Sequence, residues 1–383
     1  MTGGSPGVIL ASMLLPLLLA TACRPDKDPS ADDSKGHVES ADDSIASDDS
    51  DSPTQDLGFD LIYTAAEDQI VRRVRLPEGF ELQDPANLEV VWDWHVRSAW
   101  PELSHKPHGL DLDGDRLIVA MLDYFTDAGV VELDVHTGAL IHTLRAPQGT
   151  VWGGEPTPNN LRFTHNTVRD GDTYISSDTH NQRVLATDAD WNMLWEINRE
   201  TSPDALLRSR FSQPNDVERV QIQGEERLLV STRGDFCNFV LLYAPDEPLR
   251  PHDPPWRLVF RYPPEADAMA LLENHNPRPM EDGSGFTVAD SGHDRILGVS
   301  WEGELLWSLP DSSCESSILD WPRDAVYTPK GTLLVGDTLH DRIVELDPNI
   351  PCPTESDILW QWSGINEPYQ LMILPHAEGW GSP

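Results

Sequence analysis

The 383-residue chain carries 65 acidic against 27 basic side chains, a formal charge of −38 at neutral pH. A phosphate backbone needs Lys and Arg to displace its counterions, so this balance excludes unassisted nucleic-acid binding and disfavours an anionic bilayer surface. Four cysteines are too few for a disulfide scaffold, while 39% hydrophobic residues with 32 prolines and 26 glycines describe a folded, turn-rich chain with few long helices.

In chain order, the first element is the apolar run from Val8 to Ala22, which ends in small residues before Cys23. It is shorter than the roughly 20 residues a spanning helix needs. Ala20-Thr21-Ala22-Cys23 resembles a bacterial lipoprotein signal. That resemblance implies a leader at residues 1–22, a lipid on Cys23, and a place in the cell envelope where the membrane is touched only through the anchor. The leader lacks Lys and Arg, and Ala20 stands where such signals prefer leucine, so an ordinary secretory leader is the alternative. Residues 23–57 read as a tether: from Arg24 to Asp56 there are eleven acidic and three basic residues, with Asp-Asp-Ser recurring at Asp32, Asp42 and Asp48. Such a segment cannot bury enough apolar surface to offset its ordering entropy. The folded domain is expected over residues 58–383, as a monomer.

That domain repeats about every fifty residues. SSDTHNQRVLATD from Ser176, ADSGHDRILGVS from Ala289 and VGDTLHDRIVELD from Val335 are copies of one phrase, with fainter ones from Tyr63, Ala120 and Ser231. A short polar turn precedes each full copy, and a Trp-bearing strand follows (Trp195, Trp307, Trp360). Four short strands per unit joined by tight turns describe a β-propeller blade. Six units open near Pro107, His165, Pro214, His275, Pro322 and Pro368. The last has one strand and the first, Leu61 to Val96, lacks its opening strand, so the two ends should complete one blade and close the ring. A β-sandwich with a second domain is the rival fold.

The blade-to-blade crossings at 148–160 (with Trp152), 198–213, 263–274 and 310–320 are long and share one face, where function is expected at the mouth of the central channel. The same geometry leaves Cys237, Cys314 and Cys352 as free thiols, or pairs Cys237 with Cys314 as the two on one face. Asp111 to Asp115 reads as a hairpin turn, and no metal or cofactor site is implied.

The residues opening each innermost strand are Pro107-His108, His165-Asn166, Gln213-Pro214-Asn215, His275-Asn276, Arg323-Asp324 and Tyr369-Gln370. Imidazoles near their unperturbed pKa serve as nucleophile or acid–base, and guanidinium forks suit oxyanions. The segments QPNDVERV…LLVSTR (213–233), ENHNPRP (273–279) and LDWPRDAVY…TLLVGDTLHDRIVELD (319–347) resemble the nucleotide-independent aryl sulfotransferase family of six-bladed propellers. The resemblance implies sulfuryl transfer from an aryl sulfate to a phenol through a transiently sulfated histidine. It implies His275 as nucleophile, with Arg233, His108 and Arg323 in support. His165, Gln213, Asn215, Asn276, Tyr369 and Trp152 are expected to contact a small aromatic or anionic substrate. Gln213 stands where the family has a histidine. Each of these residues also has a structural reading: His275 as a hydrogen-bonded wall residue, Arg233 paired with Asp235 or Asp216, and Arg323 as blade packing. The repeated Arg183, Arg295 and Arg342 with Asp178, Asp290 and Asp337 read as architecture. The alternative function is a non-catalytic ring that binds a small ligand or an envelope protein on its long-loop face.

Overall fold

The computed structural model describes residues 58–375, except 83, 101–104, 123–127, 146–160, 203, 235–237, 249–252, 265–269 and 281. The leader, the tether, Cys23, Trp152 and Cys237 lie outside the described residues.

Six antiparallel four-stranded sheets form the blades of a propeller. Blade 1 is split: its inner strand is Pro368–Pro375, followed outward by Phe59–Ala65, Ile70–Leu76 and Glu89–His95. Blade 2 runs Lys106–Asp113, Arg116–Leu122, Gly129–Asp134 and Leu140–Arg145. Blade 3 runs Thr164–Asp170, Thr173–Asp178, Arg183–Thr187 and Met193–Ile197, and blade 4 runs Pro214–Ile222, Glu225–Thr232, Phe239–Pro245 and Trp256–Tyr262. Blade 5 comprises Asn274–Pro279, Gly285–Asp290, Arg295–Ser300 and Leu305–Leu309; blade 6 comprises Pro322–Tyr327, Leu333–Asp337, Arg342–Leu346 and Trp360–Ser363. In blade 1, Phe59 pairs with Pro375 and Ile62 with Met372, so both ends of the described chain meet at the channel end away from Tyr369. This closure removes the exposed edges that an open sheet would present.

Each blade packs face to face with its neighbours, which explains the strand compositions. Middle strands such as Leu333–Asp337 and Arg183–Thr187 are buried throughout, and their apolar residues (Leu333-Leu334-Val335, Val184-Leu185-Ala186) are consecutive rather than alternating. Fourth strands, such as Glu89–His95, lose part of that cover and expose several residues. The apolar clusters follow the blade interfaces: one joins blades 3 and 4 through Ile175, Trp195, Val217 and Phe239, and another joins blades 5 and 6 through Ile296, Leu309, Val335 and Val344.

The repeated phrase is a clamp between blades. Asp178, Asp290 and Asp337 each take the Nε–H of the arginine five residues on, at 2.8, 2.7 and 2.7 Å. Their other carboxylate oxygens accept the backbone N–H of Arg162, Leu272 and Asp320, in the crossings that lead into inner strands. The hydroxyls of Thr179, Ser291 and Thr338 then donate to the carbonyls of Pro214, Pro322 and Pro368, which open the next blade. Phase at the mouth is therefore set by a turn sequence that recurs in three blades.

The cysteine expectation is corrected. Cys314 and Cys352 form a disulfide, with their Cα atoms 5.5 Å apart. Cys352 lies in a third-to-fourth connection of blade 6 that begins on the face opposite the crossings, but this connection is long and folds back over the blade. Its Glu355 reaches Arg342 at 3.0 Å, and Arg342 also donates to the Ile318 carbonyl of the crossing that holds Cys314. Loop length therefore defeated the assignment by face. The bridge closes a separation of 38 residues. Chain-entropy arguments give such a closure up to about 4 kcal/mol. The Cys352→Ser protein should therefore melt several degrees below the parent; equal midpoints would show that the bridge contributes no net stability.

Candidate functional site

All six inner strands carry an irregularity at the same place. The pairing of inner and second strands shifts by one residue between Pro107 and Leu110, Thr164 and Thr167, Pro214 and Asp216, His275 and Arg278, and Pro322 and Asp324. In blade 1 the shift falls between Pro368 and Leu371. A bulge re-aims side chains, and here it falls at the head of each inner strand. Five inner strands are entered through a left-handed residue: Phe163, Gln213, Glu273, Trp321 and Glu367, with φ between 40° and 59°. Strained, non-glycine backbone of this kind persists only where its surroundings over-determine it, and the clamps described above do that.

The result is a ring of His108, His165, Asn215, His275, Arg323 and Tyr369. In blade 2 the residue after His108 is Gly109, where a Cβ would lie 2.2 Å from Asn166 Oδ1. That close approach brings the His108 and His165 rings edge to face, with centroids 4.5 Å apart. Arg323 lies over the Tyr369 ring at 4.1 Å, and its Nη1 donates to Nε2 of both His108 and His275, each at 3.4 Å. Among the described residues no carboxylate pairs with Arg323.

The tautomers follow from the hydrogen bonds. Ser291 Oγ commits its proton to the Pro322 carbonyl, so it accepts Nδ1–H from His275 (2.8 Å). Thr179 Oγ1 likewise donates to Pro214 O (2.6 Å) and accepts Nδ1–H from His165 (2.7 Å). In both rings Nε2 is left with a lone pair. Burial, then the positive fields of Arg323 and Arg233, holds His108 and His275 well below the ordinary imidazole range. Burial, then His108 and the same two arginines, does so for His165. The cluster is neutral at physiological pH.

A cavity of about 190 Å³ opens on this ring, lined by His108, His165, Arg233, Arg323 and Tyr369 together with Leu122, Phe163 and His180. The last three escaped the sequence reading. His180 stacks on Phe163 with centroids 4.3 Å apart and planes 3° apart, and burial lowers its pKa to about 4. Its signal lay in a departure from the repeat, since Gly292 and Leu339 hold that position in the other two copies.

Other expected residues sit elsewhere. His275 is fully buried behind Arg323 and is not part of the cavity wall. Gln213 is the left-handed entry residue of blade 4; its carbonyl accepts from Arg233 N (3.1 Å), and it too lies outside the wall. The Asn215 amide donates to Asn274 O (3.1 Å) and the Asn276 amide to Tyr369 O (3.2 Å), which ties blades together. Arg233 does reach the cavity and pairs with Glu273 at 3.2 Å; of the two expected carboxylates, Asp216 instead accepts from Asn166 and Asp235 lies outside the described residues. Asp324 pairs with Arg278 and not with Arg323.

Below the ring lies an acidic layer. Arg278 is bound by Glu218 and by Asp324 (3.0 Å), while Asp216 accepts from the Asn166 amide (2.7 Å). Burial raises Asp216 to about 7 and Glu218 well above the usual carboxyl range. Among the described residues no group of three or more His, Cys, Asp or Glu is placed to hold a metal ion.

No family model matches the chain, and no curated protein is similar to it. Solved structures are. A chain of a nidogen/laminin complex is similar at a TM-score of 0.54 and 13% identity, over 82% of this chain and 98% of that one. A 6-phosphogluconolactonase, described as putative, from Bacteroides fragilis is similar at a TM-score of 0.51 and 13% identity, over 85% and 100%. At such identity the likeness concerns the six-bladed fold.

Proposed function

We propose that the channel mouth transfers a sulfuryl group from an aryl sulfate to a phenol. The observation that carries this reading is the meeting, in one cavity, of two guanidinium groups, neutral imidazoles and an aromatic wall. An engineered cavity of about 150 Å³ holds benzene, so about 190 Å³ accommodates one substituted ring with its anionic head. Arg323 and Arg233 take the sulfonate oxygens, and Phe163, His180, Leu122 and Tyr369 face the ring.

The attacking atom in this reading is Nε2 of His165, which keeps its lone pair and has no hydrogen-bond partner among the described residues. The N–S bond forms as the S–O(aryl) bond breaks, the electron pair leaves with the phenoxide, and the phenoxide takes a proton. The acceptor phenol then reverses these steps, losing its own proton, and histidine is restored. The guanidinium groups act where charge builds on the leaving and transferring oxygens. His275, the nucleophile the resemblance implies, instead holds Arg323 in place through its own lone pair.

The test is release of 4-nitrophenol from 4-nitrophenyl sulfate by the full-length protein with a phenol acceptor present. Arg323→Gln should lower kcat/KM by roughly 10²–10³-fold, the usual loss when one preorganised donor to a developing oxyanion is removed. Absence of turnover with every acceptor, with sulfate still bound, would make the ring a binding protein. Gln213 in place of a family histidine favours that second reading.

A further inference from the structure

His108 and His165 are locked as acceptors toward the cavity. The Thr179 hydroxyl takes Nδ1–H of His165, and the His165 carbonyl takes a ring N–H of His108, whose Nε2 accepts from Arg323. Neither ring can shift its proton without stranding a buried hydroxyl or carbonyl. An oxyanion in the cavity would therefore meet lone pairs on these nitrogens, acceptor against acceptor. It would also offset the two arginine charges that add to burial in holding the rings below the ordinary imidazole range.

This matters because the resting site holds no acid, whereas a departing phenoxide needs a proton. Resting on the oxyanion reading of the cavity, we infer that an anion enters together with one proton, which lodges on Nε2 of His108 and turns that acceptor into a donor. The proton comes from solvent on binding and is the one delivered to the phenoxide oxygen in turnover. Arg323 Nη1, 3.4 Å from Nε2 of His108, turns from that nitrogen to the anion as the proton arrives, and the anion lies between the two cations. His165 keeps its Nε2 lone pair for attack on sulfur, so the uptake is one proton and not two.

The groups around His108 favour this outcome. Arg323 faces it from blade 6, Arg233 from the end of the second strand of blade 4, and His275 from blade 5. His165 and Tyr369 pack against it from blades 3 and 1, and Lys106 lies on its own strand. Among the described residues no carboxylate pairs with it, so the incoming anion supplies the charge that offsets it. His165 sees the same two arginines and His275, with Phe163 against its ring and His180 stacked beyond.

The experiment is a calorimetric titration of sodium sulfate into the full-length protein near neutral pH, in imidazole, bis-Tris and Tris chloride buffers of different ionisation heat. The slope of binding heat against ionisation heat counts protons, and about one per sulfate is expected by linkage. Sulfate affinity should then weaken about tenfold per pH unit on the alkaline side. His108→Gln keeps an amide donor for the anion, so sulfate should still bind while the slope falls to zero. A zero slope in the parent chain, an unchanged slope in His108→Gln, or no saturable sulfate binding overturns the inference. The count requires no turnover. An active transferase with a zero slope sinks this inference alone, whereas an inactive ring with a slope of one leaves the proton uptake standing and ends the sulfuryl-transfer reading together with delivery to a phenoxide.

Discussion

The His165→Gln protein is expected to release 4-nitrophenol from 4-nitrophenyl sulfate ~10³-fold or more slowly than the parent chain, the scale on which reacting groups are lost. Glutamine fills a similar space and can still meet the Thr179 hydroxyl, but it has no nitrogen lone pair with which to attack sulfur. The loss should fall on kcat, with KM and the circular dichroism spectrum nearly unchanged. His275→Gln should cost only about tenfold, because that ring acts on the sulfonate through Arg323 and not directly. Comparing the two variants decides the nucleophile. If His275→Gln abolishes turnover while His165→Gln retains most of it, attack belongs to the buried ring and Arg323 must swing aside to admit the substrate.

A second large effect is expected below the ring, on stability. Arg278 is the cation among Glu218, Asp324 and Asp216, and removing one partner of a buried ionic cluster typically costs about 3–5 kcal/mol. Arg278→Met should therefore lower the melting temperature sharply at neutral pH. Asp216→Asn should do the reverse. The Asp216 carboxyl stands at about 7 in the fold against 3.8 for the free group. Its contribution is therefore fully present below pH 3.8 and lost as pH rises through about 7. Asparagine stays neutral and its oxygen still accepts from Asn166. The variant should melt higher than the parent at pH ~8, by a smaller margin at pH ~5, and together with it only below pH 3.8, where both side chains are neutral in folded and unfolded chain alike. A lower melting point at pH ~8 would show that the ionised carboxylate is paired and stabilising after all.

The ring was legible in the sequence because its determinants are local and repeated. Asp290-Ser291-Gly292-His293-Asp294-Arg295 and its two copies contain a one-turn helix, a left-handed residue and an arginine clamp, all encoded within six positions. The split blade was legible too, since EPYQLMIL supplies one inner strand and Leu61 to Val96 lacks one. The residues at the heads of the inner strands were found as pairs, but the bulges decide which member faces the channel. In His165-Asn166 the imidazole lines the cavity while the amide crosses to Asp216 in the next blade. A bulge is a tertiary feature that residue spacing does not reveal. His180 and Phe163 were missed for a related reason: they lie in a phrase and a crossing whose roles looked architectural, and only the fold brings their rings together. Three-dimensional proximity likewise decided between Cys237 and Cys352 as the partner of Cys314.

Pairing of Phe59 with Pro375 has a practical consequence. The described chain begins and ends at the rear of the ring, about the length of one inner strand from the imidazoles. A purification handle, fluorescent fusion or sensor-chip linkage joined directly to Gly58 or Pro375 would start at the rear, away from the entrance. Ligand capture measured on an immobilised sample should therefore agree with the value obtained free in solution.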